Sequence, residues 1–356
     1  MTGDRLAVTL YDHSASLSPL VNLLEPSLPL SLPLYSTLLT PGVPLSVYAT
    51  LPPLTDRKAT DTHTEEPWLV VADMGNQLRF FCSVEGEQHP SEERLAQARE
   101  MVASGLKKYL EGHHRGRDRI SIGAIPDIWR SAIRDAFGVE PFSASEIHYR
   151  TLRDLPAITT NGSTTKDAHT SGDDEVITTA GRPEDIAEIL STSEVPHPPS
   201  YLETRLPYTT LLRSASPSSS LSSATSSSSE SSSHPRTQPP SRAADDSPAP
   251  PRILAHCTTH RDGSIGTLHV SPLARRRGLG SRVFLARATL MRDTDPNTTD
   301  GKGEGSGYVY AYVHKENESS NALMRRCGMR KSGYEVWWAR VKLPMSTRAV
   351  GSAGGA

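Results

Sequence analysis

The sequence predicts a mixed α/β (α+β) fold arranged in two domains. Short apolar segments bounded by proline, glycine or asparagine predict strands, and one long stretch with apolar residues every three or four positions predicts a helix. At 356 residues the chain exceeds what one hydrophobic core usually organises, so two compact parts are expected. Apolar residues make up only 36% of the chain, which indicates that part of it does not fold.

Residues 1–143 are expected to form a smaller N-terminal α/β domain. Its predicted strands include Leu34 to Leu39, Leu45 to Leu51, Trp68 to Asp73 and Leu78 to Val84. The main helix is predicted from Ser91 to Leu110, because apolar residues recur there with helical spacing. A second helix is predicted from Pro126 to Phe137, with Gly138 ending it.

The rest of the chain is expected to contain one larger domain. Residues 144–175 are predicted to be a linker, because the stretch Asn161 to Asp174 is rich in Gly, Ser, Thr and Asp and has no periodic apolar pattern. The second domain is predicted to span residues 176–345, interrupted by a Ser/Pro-rich insertion at 214–250 and followed by a tail at 346–356. The insertion and the tail cannot bury enough apolar surface to offset the entropy of ordering, so both are predicted to be disordered.

A β-hairpin is the best-defined feature of this second domain. The strands Ile253 to Thr259 and Ile265 to Val270 flank an Asp262-Gly263 pair, which is the preferred centre of a two-residue turn. This pairing would set His256 opposite His269 on one face of the hairpin. A helix at 277–292, a strand at 308–313, a short helix at 319–327 and a strand at 334–341 are predicted to follow.

The segment that ends the hairpin carries the strongest functional signal. From Val270 to Ser281 it reads Val-Ser-Pro-Leu-Ala-Arg-Arg-Arg-Gly-Leu-Gly-Ser, with two glycines where a strand gives way to a helix. Such a turn lets several backbone N–H groups point at one spot, and the helix N-terminus adds about half a positive charge. Glycine also permits close backbone approach, so the segment suits a diphosphate group.

Other glycine-rich motifs fit this segment less well. A dinucleotide-binding fingerprint would need a third glycine where Val283 stands, and the phosphate-loop ending Gly-Lys-Ser/Thr is absent from the sequence. The arginine cluster by itself would equally suit a solvated helix start or a nuclear import patch.

Two ordered motifs resemble the GNAT acyltransferase superfamily. Arg275, Gly278 and Gly280 match its acyl-CoA signature, which is Arg or Gln, two residues, Gly, one residue, then Gly or Ala. The segment Asn317 to Met329 is similar to the family pattern Asn-x-x-Ser-x-x-Leu-Tyr-x-x-x-Gly-Phe. The details, including Tyr334 to Trp338, look most like the glycine N-acyltransferase-like branch. The C-terminal domain therefore resembles a GNAT fold, a central mixed, mostly antiparallel sheet flanked by helices.

The resemblance implies an acyl-CoA-dependent N-acyltransferase. Its donor would be acetyl-CoA or another acyl-CoA, its acceptor a small amine such as glycine or another amino acid, and no metal would be needed. The residues that the resemblance assigns to the donor are Leu268, Val270, Arg275, Arg276, Gly278, Leu279, Gly280, Ser281, Asn317 and Ser320. Asn317 and the serines after it would also serve as helix caps.

Two departures from the family pattern concern catalysis. Met324 stands where the family often has the tyrosine that protonates the departing thiolate, and Ser264 stands where it often has a general-base glutamate. The catalytic residues therefore stay unassigned, with His256 and His269 as candidates outside the expected base position. The alternative function is a catalytically weak or inactive acyl-CoA sensor or scaffold.

Composition limits the partners and the compartment. A net charge of −2 and a pI near 6.7 give no basis for binding nucleic acid or an anionic membrane. No run of about 18 apolar residues is present, so no membrane span is expected. Three widely spaced cysteines without metal-ligand spacing suit an intracellular, reducing compartment, with the cytoplasm preferred and mitochondria and nucleus left open. The Ser/Pro-rich insertion could recruit a protein partner.

Overall fold

A computed structural model of the protein describes residues 7–40, 42–53, 66–114, 117–155, 175–193, 195–214, 252–294 and 306–343. These residues form the predicted mixed α/β fold, in which a large, mostly antiparallel sheet is flanked by helices. The chain divides into two compact units. Unit 1 comprises Met1–Ile158, Thr258–Gly266 and Leu285–Ala356, and unit 2 comprises Thr159–Cys257 and Thr267–Phe284.

The described strands and helices are numbered in chain order. The strands are β1 Tyr11–Asp12, β2 Ser46–Ala49, β3 Leu69–Asp73, β4 Gln77–Cys82, β5 Arg119–Pro126, β6 Phe142–Thr151, β7 Glu175–Thr178, β8 Thr209–Ser214, β9 Ile253–Thr259, β10 Ile265–Val270, β11 Tyr308–His314 and β12 Arg330–Lys342. The helices are α1 Ser18–Leu24, α2 Leu32–Leu39, α3 Glu92–His113, α4 Arg130–Phe137, α5 Ile186–Thr192, α6 Pro199–Arg205, α7 Leu279–Thr294 and α8 Glu318–Arg326.

The strands form two sheets. An eight-stranded sheet has the order β1-β2-β3-β4-β5-β12-β6-β11, and all its pairs are antiparallel except β4 with β5. A four-stranded sheet has the order β10-β9-β8-β7. Strand β10 is therefore an edge strand, whose outer backbone groups have no neighbouring strand in that sheet.

Strand β3 shows why the large sheet is covered on both faces. Its side chains alternate, so that Leu69 and Val71 join one apolar cluster while Val70 and Ala72 join another. Helix α3 contributes Ala98, Val102 and Leu106 to the first cluster, and α1 and α2 contribute Leu20, Leu24 and Leu34 to the second. A continuous apolar strand is typical of a sheet that is buried on both sides.

Both helices predicted in the first half are present, although α3 continues to His113 and α4 begins only at Arg130. Ser91 Oγ accepts a hydrogen bond from Arg94 N at 3.2 Å, which caps α3 at its start. Gly138 has φ +65° and ends α4 in the left-handed conformation that favours glycine.

The strand predicted at Leu34 to Leu39 is wrong, because this segment belongs to helix α2. Pro33 lies in the first turn of the helix, where its fixed φ is favourable and its missing N–H costs nothing. Seven residues from Leu32 to Leu38 are buried, so the helix is buried around its whole circumference and has no apolar stripe on one side only. A short, continuously apolar segment does not distinguish a strand from a buried helix by its periodicity.

The eight-stranded sheet joins strands from both ends of the chain. Strand β12 lies between β5 and β6, and β6 lies between β12 and β11. The pairs Ala339 with Ile122 and Tyr310 with Tyr149 illustrate the antiparallel registers. Residues 144–151, predicted to belong to a linker, are thus part of β6. The insertion, the tail and most of the linker lie outside the described residues, and the domain boundaries at 143 and 176 stay a prediction.

Among the described elements, the same order occurs twice along the chain. The first half, residues 7–155, runs strand, two helices, three strands, helix, strand, helix, strand, and the second half, residues 175–343, repeats this succession. The last strand of each half, β6 or β12, lies between the two last strands of the other half. The two halves therefore exchange strands within unit 1.

We expect a fragment of residues 175–356 to remain unfolded when it is expressed alone. Without β6, the strands β11 and β12 lose the strand between them, and unpaired buried backbone groups are costly. Circular dichroism and limited proteolysis check this, and co-expression with residues 1–160 should restore a protease-resistant complex. A cooperative thermal transition of the isolated fragment would contradict the strand exchange as a folding requirement.

Candidate functional site

The chain bends sharply where β10 leads into α7. After Val270 a short 3-10 turn, Pro272–Ala274, comes first, and α7 then begins at Leu279. Between them, Arg276 has φ +65° and Gly278 has φ +75°. Left-handed residues in such a loop turn successive N–H groups to one side and form an anion-binding concavity. The bend expected from the two glycines is present, and a non-glycine residue shares the left-handed conformation.

Several backbone donors at this bend are available. Among the described residues none accepts a hydrogen bond from the N–H of Gly278, Leu279 or Gly280. The first turn of any α-helix leaves such donors without an intrahelical partner. Together with the helix dipole they favour a negatively charged group at this position.

The bend is also open and positively charged. A Cβ atom placed on Gly278 would meet nothing within 4 Å. The side chains of Arg275, Arg276 and Arg277 are exposed, and Arg275 Nε donates to the Val270 carbonyl at 3.3 Å. Leu279 and Gly280 are buried in the first turn of α7, and Ser281 is half-buried.

The hairpin before the bend differs in one detail from the prediction. His260 N donates to Ser264 O at 2.8 Å, so three residues rather than two form the turn, with Gly263 left-handed at φ +83°. Thr267 has φ +50°, which marks a bulge in β10 and shifts the pairing by one residue. Leu268 lies half-buried beyond this bulge on the edge strand, as does Val270 at its end.

The two candidate histidines lie on one face, as predicted. The ring centroids of His256 and His269 are 5.7 Å apart. His256 is buried, and its Nε2 lies 3.0 Å from Thr192 Oγ1. Burial lowers the pKa of His256 to about 4, with a further contribution from the charge of His269. His256 is therefore neutral at physiological pH and a weak base, while His269 is half-buried.

The two remaining predicted residues begin helix α8 in unit 1. Asn317 Oδ1 accepts a hydrogen bond from Ser320 N at 2.9 Å, so the capping role is present. The other eight residues assigned to the donor lie in unit 2. Met324, which replaces the family tyrosine, is buried in α8.

A buried histidine of the first half holds the start of α8. His148 of β6 is fully buried, and its Nε2 lies 3.0 Å from Asn321 Oδ1. Asn321 Nδ2 in turn donates to the carbonyls of His314, Lys315 and Asn317 at 3.4, 3.2 and 2.9 Å. Burial lowers the pKa of His148, which favours the neutral form of the ring. The sequence carries no local signal for this contact, because its partners lie 173 positions apart.

Ser264, which stands at the family's base position, belongs to a buried polar cluster in unit 1. Its Oγ donates to Asp262 Oδ1 at 2.6 Å, and Asp262 Oδ2 pairs with Arg79 Nη2 at 2.6 Å. Tyr312 donates to Asp262 Oδ2 at 3.2 Å, and Tyr310 donates to the Asp262 carbonyl. The Asp-Gly pair that predicted a turn thus also supplies a buried carboxylate.

Asp262 remains ionised despite its burial. Burial opposes the charged form, but the positive charge of Arg79, with His260 and the hydrogen bonds from Ser264 and Arg79, lowers its pKa to about 2. The carboxylate is therefore a poor proton acceptor, and Ser264 is engaged with it. Neither residue replaces the family glutamate as a base.

Two further findings concern other kinds of site. Within the described ranges, no group of three or more His, Cys, Asp or Glu side chains could hold a metal ion. None of the helices in those ranges is both long and apolar enough to cross a membrane.

The chain is similar to solved structures at low sequence identity. A Drosophila protein has a TM-score of 0.53 and 13% identity, covering 93% of this chain and 98% of that chain. A tandem GNAT protein from the clavulanic acid biosynthesis pathway has a TM-score of 0.45 and 12% identity, covering 95% of this chain and 100% of that chain. A GCN5-related N-acetyltransferase from Sphaerobacter thermophilus has a TM-score of 0.40 and 15% identity, covering 82% of this chain and 87% of that chain. No protein-family model and no curated protein matches the chain. At such identities, the likeness to the Drosophila protein concerns the fold alone.

We expect Asp262→Asn or Arg79→Met to lower the free energy of unfolding by about 3–5 kcal/mol, because each leaves a buried partner without its counter-charge. The double variant Arg79→Met/Asp262→Leu should be less unstable than either. Urea denaturation at pH 7 measures this. Equal stability of all four proteins would contradict a structural role for the pair.

The same pair predicts a pH dependence. Because the pKa of Asp262 is lowered from 3.8 to about 2 in the folded protein, its contribution is complete above about pH 4 and is lost as the pH falls through about 2. As the pH is lowered between these values, the free energy of unfolding should decrease more steeply for the wild type than for the double variant. Urea denaturation at a series of pH values measures it. Parallel curves would contradict this linkage.

Replacing Asn321 by Leu should lower the free energy of unfolding by about 1–3 kcal/mol, because three carbonyls and His148 lose their partner inside the protein. The exposed Glu318→Ala variant in the same helix is a control and should change stability by less than about 1 kcal/mol. Thermal unfolding compares the two. A Leu variant as stable as the control would show that the contact is dispensable.

Proposed function

We propose that this protein is an acyl-CoA-dependent N-acyltransferase of the GNAT type. The observation that carries the proposal is the bend between β10 and α7, where the signature residues Arg275, Gly278 and Gly280 coincide with an open concavity of backbone N–H groups. Neither feature alone would be sufficient, because helix starts with arginines are common. A sequence signature at a bend with two left-handed residues favours a bound diphosphate.

The residues at the bend fit the diphosphate of coenzyme A. The N–H groups from Arg276 to Ser281 would hold its oxygens, and the exposed guanidinium groups would balance their charge. The outer edge of β10, at Leu268 and Val270, would hold the amide-containing pantetheine arm by strand-like hydrogen bonds. Asn317 and Ser320 are assigned to the donor by resemblance, beside their capping role.

The reaction proposed is transfer of the acyl group to a small amine, such as glycine or another amino acid. The amine nitrogen forms a bond to the acyl carbon, the carbon–sulfur bond breaks, and the thiol of CoA leaves with a proton. The bound acyl-CoA supplies an activated thioester. The chain's own contribution is to hold donor and acceptor in attack geometry, which can contribute about 7–11 kcal/mol to lowering the barrier.

Proton transfer is the weakest part of this arrangement. His256 is a weak base, Ser264 is bonded to an ionised carboxylate, and Met324 has no proton to donate. His269, half-buried on β10, is the remaining histidine candidate, and a water molecule could carry the proton instead. A positioned acid or base contributes typically a factor of about 10² to 10⁴, so an enzyme without one would be slow.

A second candidate function follows from these departures. The protein could bind acyl-CoA as a sensor or scaffold without turnover, and recruit a protein partner through the Ser/Pro-rich insertion at 214–250. The buried Met324 and the occupied Ser264 favour this alternative.

We expect Gly278→Val to abolish acetyl-CoA binding, because a β-branched residue is strained at φ +75° and would close the concavity. Gly138→Val is the matched control: Gly138 has φ +65°, and its Cβ would likewise meet nothing within 4 Å. Both variants should lose roughly 1–2 kcal/mol of stability. Isothermal titration calorimetry should show binding to the wild type and the control only. Unchanged binding by Gly278→Val would remove the proposed donor site.

Turnover separates the enzyme from the sensor. Release of free thiol from several acyl-CoAs should be measured with glycine, other amino acids and polyamines, and with the Gly278→Val variant as the blank. Amine-dependent thiol release identifies an acyltransferase and its acceptor. Donor binding without release from any amine would favour the sensor.

A further inference from the structure

The repeated order of elements places two comparable bends in the chain. The bend between β10 and α7 in the second half corresponds in order to the bend between β4 and α3 in the first half. If both halves retained a donor site, the chain would bind two molecules of acyl-CoA. The two bends can be compared residue by residue, because both are described.

The charges at the two bends are opposite. Where the second half has three exposed arginines, the first half has Glu87, which pairs with Arg94, followed by the exposed Glu92 and Glu93 in the first turn of α3. Carboxylates already interact favourably with the N-terminus of that helix. A diphosphate would therefore meet like charge at the first bend.

The carboxyl group of Glu85, whose pKa burial raises to about 8, occupies donors at the first bend. Glu85 is buried, and its Oε1 accepts from Cys82 N at 2.9 Å and from Trp129 Nε1 at 2.7 Å. Ser91 Oγ accepts from Arg94 N at the start of α3. At the second bend, by contrast, the N–H groups of Gly278, Leu279 and Gly280 find no acceptor among the described residues.

The first bend also has less free space than the second. A Cβ atom on Gly86 would lie 2.6 Å from Ser27 Oγ, so the first bend is packed against the α1–α2 connection. A Cβ atom on Gly278 would meet nothing within 4 Å. The first bend is closed and the second is open.

Strand β4, which precedes the first bend, is also covered on its β5 side. Strands β4 and β5 are parallel and pair at Gln77 with Ser121 and at Leu78 with Ile122. Just beyond this pairing, the Arg79 guanidinium lies against Gly123, where a Cβ would come within 2.1 Å of Nη1. Arg79 is held there by Asp262. Strand β4 thus lies between β3 and β5, whereas β10 is an edge strand of its sheet.

We infer that the chain is an internally duplicated fold with a single donor site, in the second half, and a first half whose corresponding site is closed. The first half then serves as a structural partner, which contributes β6 to the shared sheet. This inference rests on the proposed function, because it assumes that the second bend binds acyl-CoA.

The number of bound acetyl-CoA molecules tests the inference on the full-length chain. Native mass spectrometry and isothermal titration should give one per chain. The exposed triple variant Arg275→Glu/Arg276→Glu/Arg277→Glu should bind none, and the matched variant Glu92→Arg/Glu93→Arg at the first bend should still bind one.

The outcomes separate this inference from the function. Two molecules per wild-type chain, or one molecule remaining on the folded triple variant, would overturn the single-site inference and leave the acyl-CoA proposal standing. Absence of binding to the folded wild type would overturn both. Gly278→Val serves as a second variant if the triple variant does not fold.

Discussion

The backbone pairing of β6 with β11 and β12 is the constraint on which unit 1 depends. Strand β6 comes from the first half of the chain and lies between two strands of the second half, and β12 is placed between β5 and β6 in return. Each of these strands would otherwise leave an edge of N–H and C=O groups without partners in a largely apolar environment. Strands from both halves are thereby joined into the eight-stranded sheet, although the exchanging strands are far apart in sequence.

The exchange also brings polar side chains together that the sequence separates widely. His148 on β6 reaches Asn321 on α8, and Arg79 on β4 reaches Asp262 in the β9–β10 turn. Each buried polar group is costly unless it is hydrogen-bonded, so these contacts restrict the alternatives open to the neighbouring backbone. The same requirement explains why Ser264 is engaged by Asp262 and is not available as a base. The hydrogen bond that satisfies the buried Asp262 is thus also what engages the Ser264 hydroxyl.

The two bends share an order of elements but differ in what fills them. At the first bend the carboxyl group of Glu85 accepts hydrogen bonds and Gly86 packs against Ser27, whereas the second bend has exposed arginines and open space at Gly278. The difference arises from a few residues, because the strand, turn and helix around them follow the same order. The same order of strand, turn and helix is therefore compatible with a filled bend and with an open one.

The sequence by itself determined the local features of this protein. The hairpin strands, helix α3 with its cap at Ser91, the end of α4 at Gly138 and the bend at Gly278 follow from periodicity, capping and turn residues, which act within a few positions. The helix at Leu32–Leu39 was not predicted, because a short apolar segment without periodicity is compatible with a strand and with a buried helix. The strand exchange, the burial of Asp262 and the closed first bend were decided only by the tertiary structure. The first two depend on contacts between residues more than a hundred positions apart, and the third on contacts such as Gly86 with Ser27 and Glu85 with Trp129, which also lie beyond the reach of a local pattern.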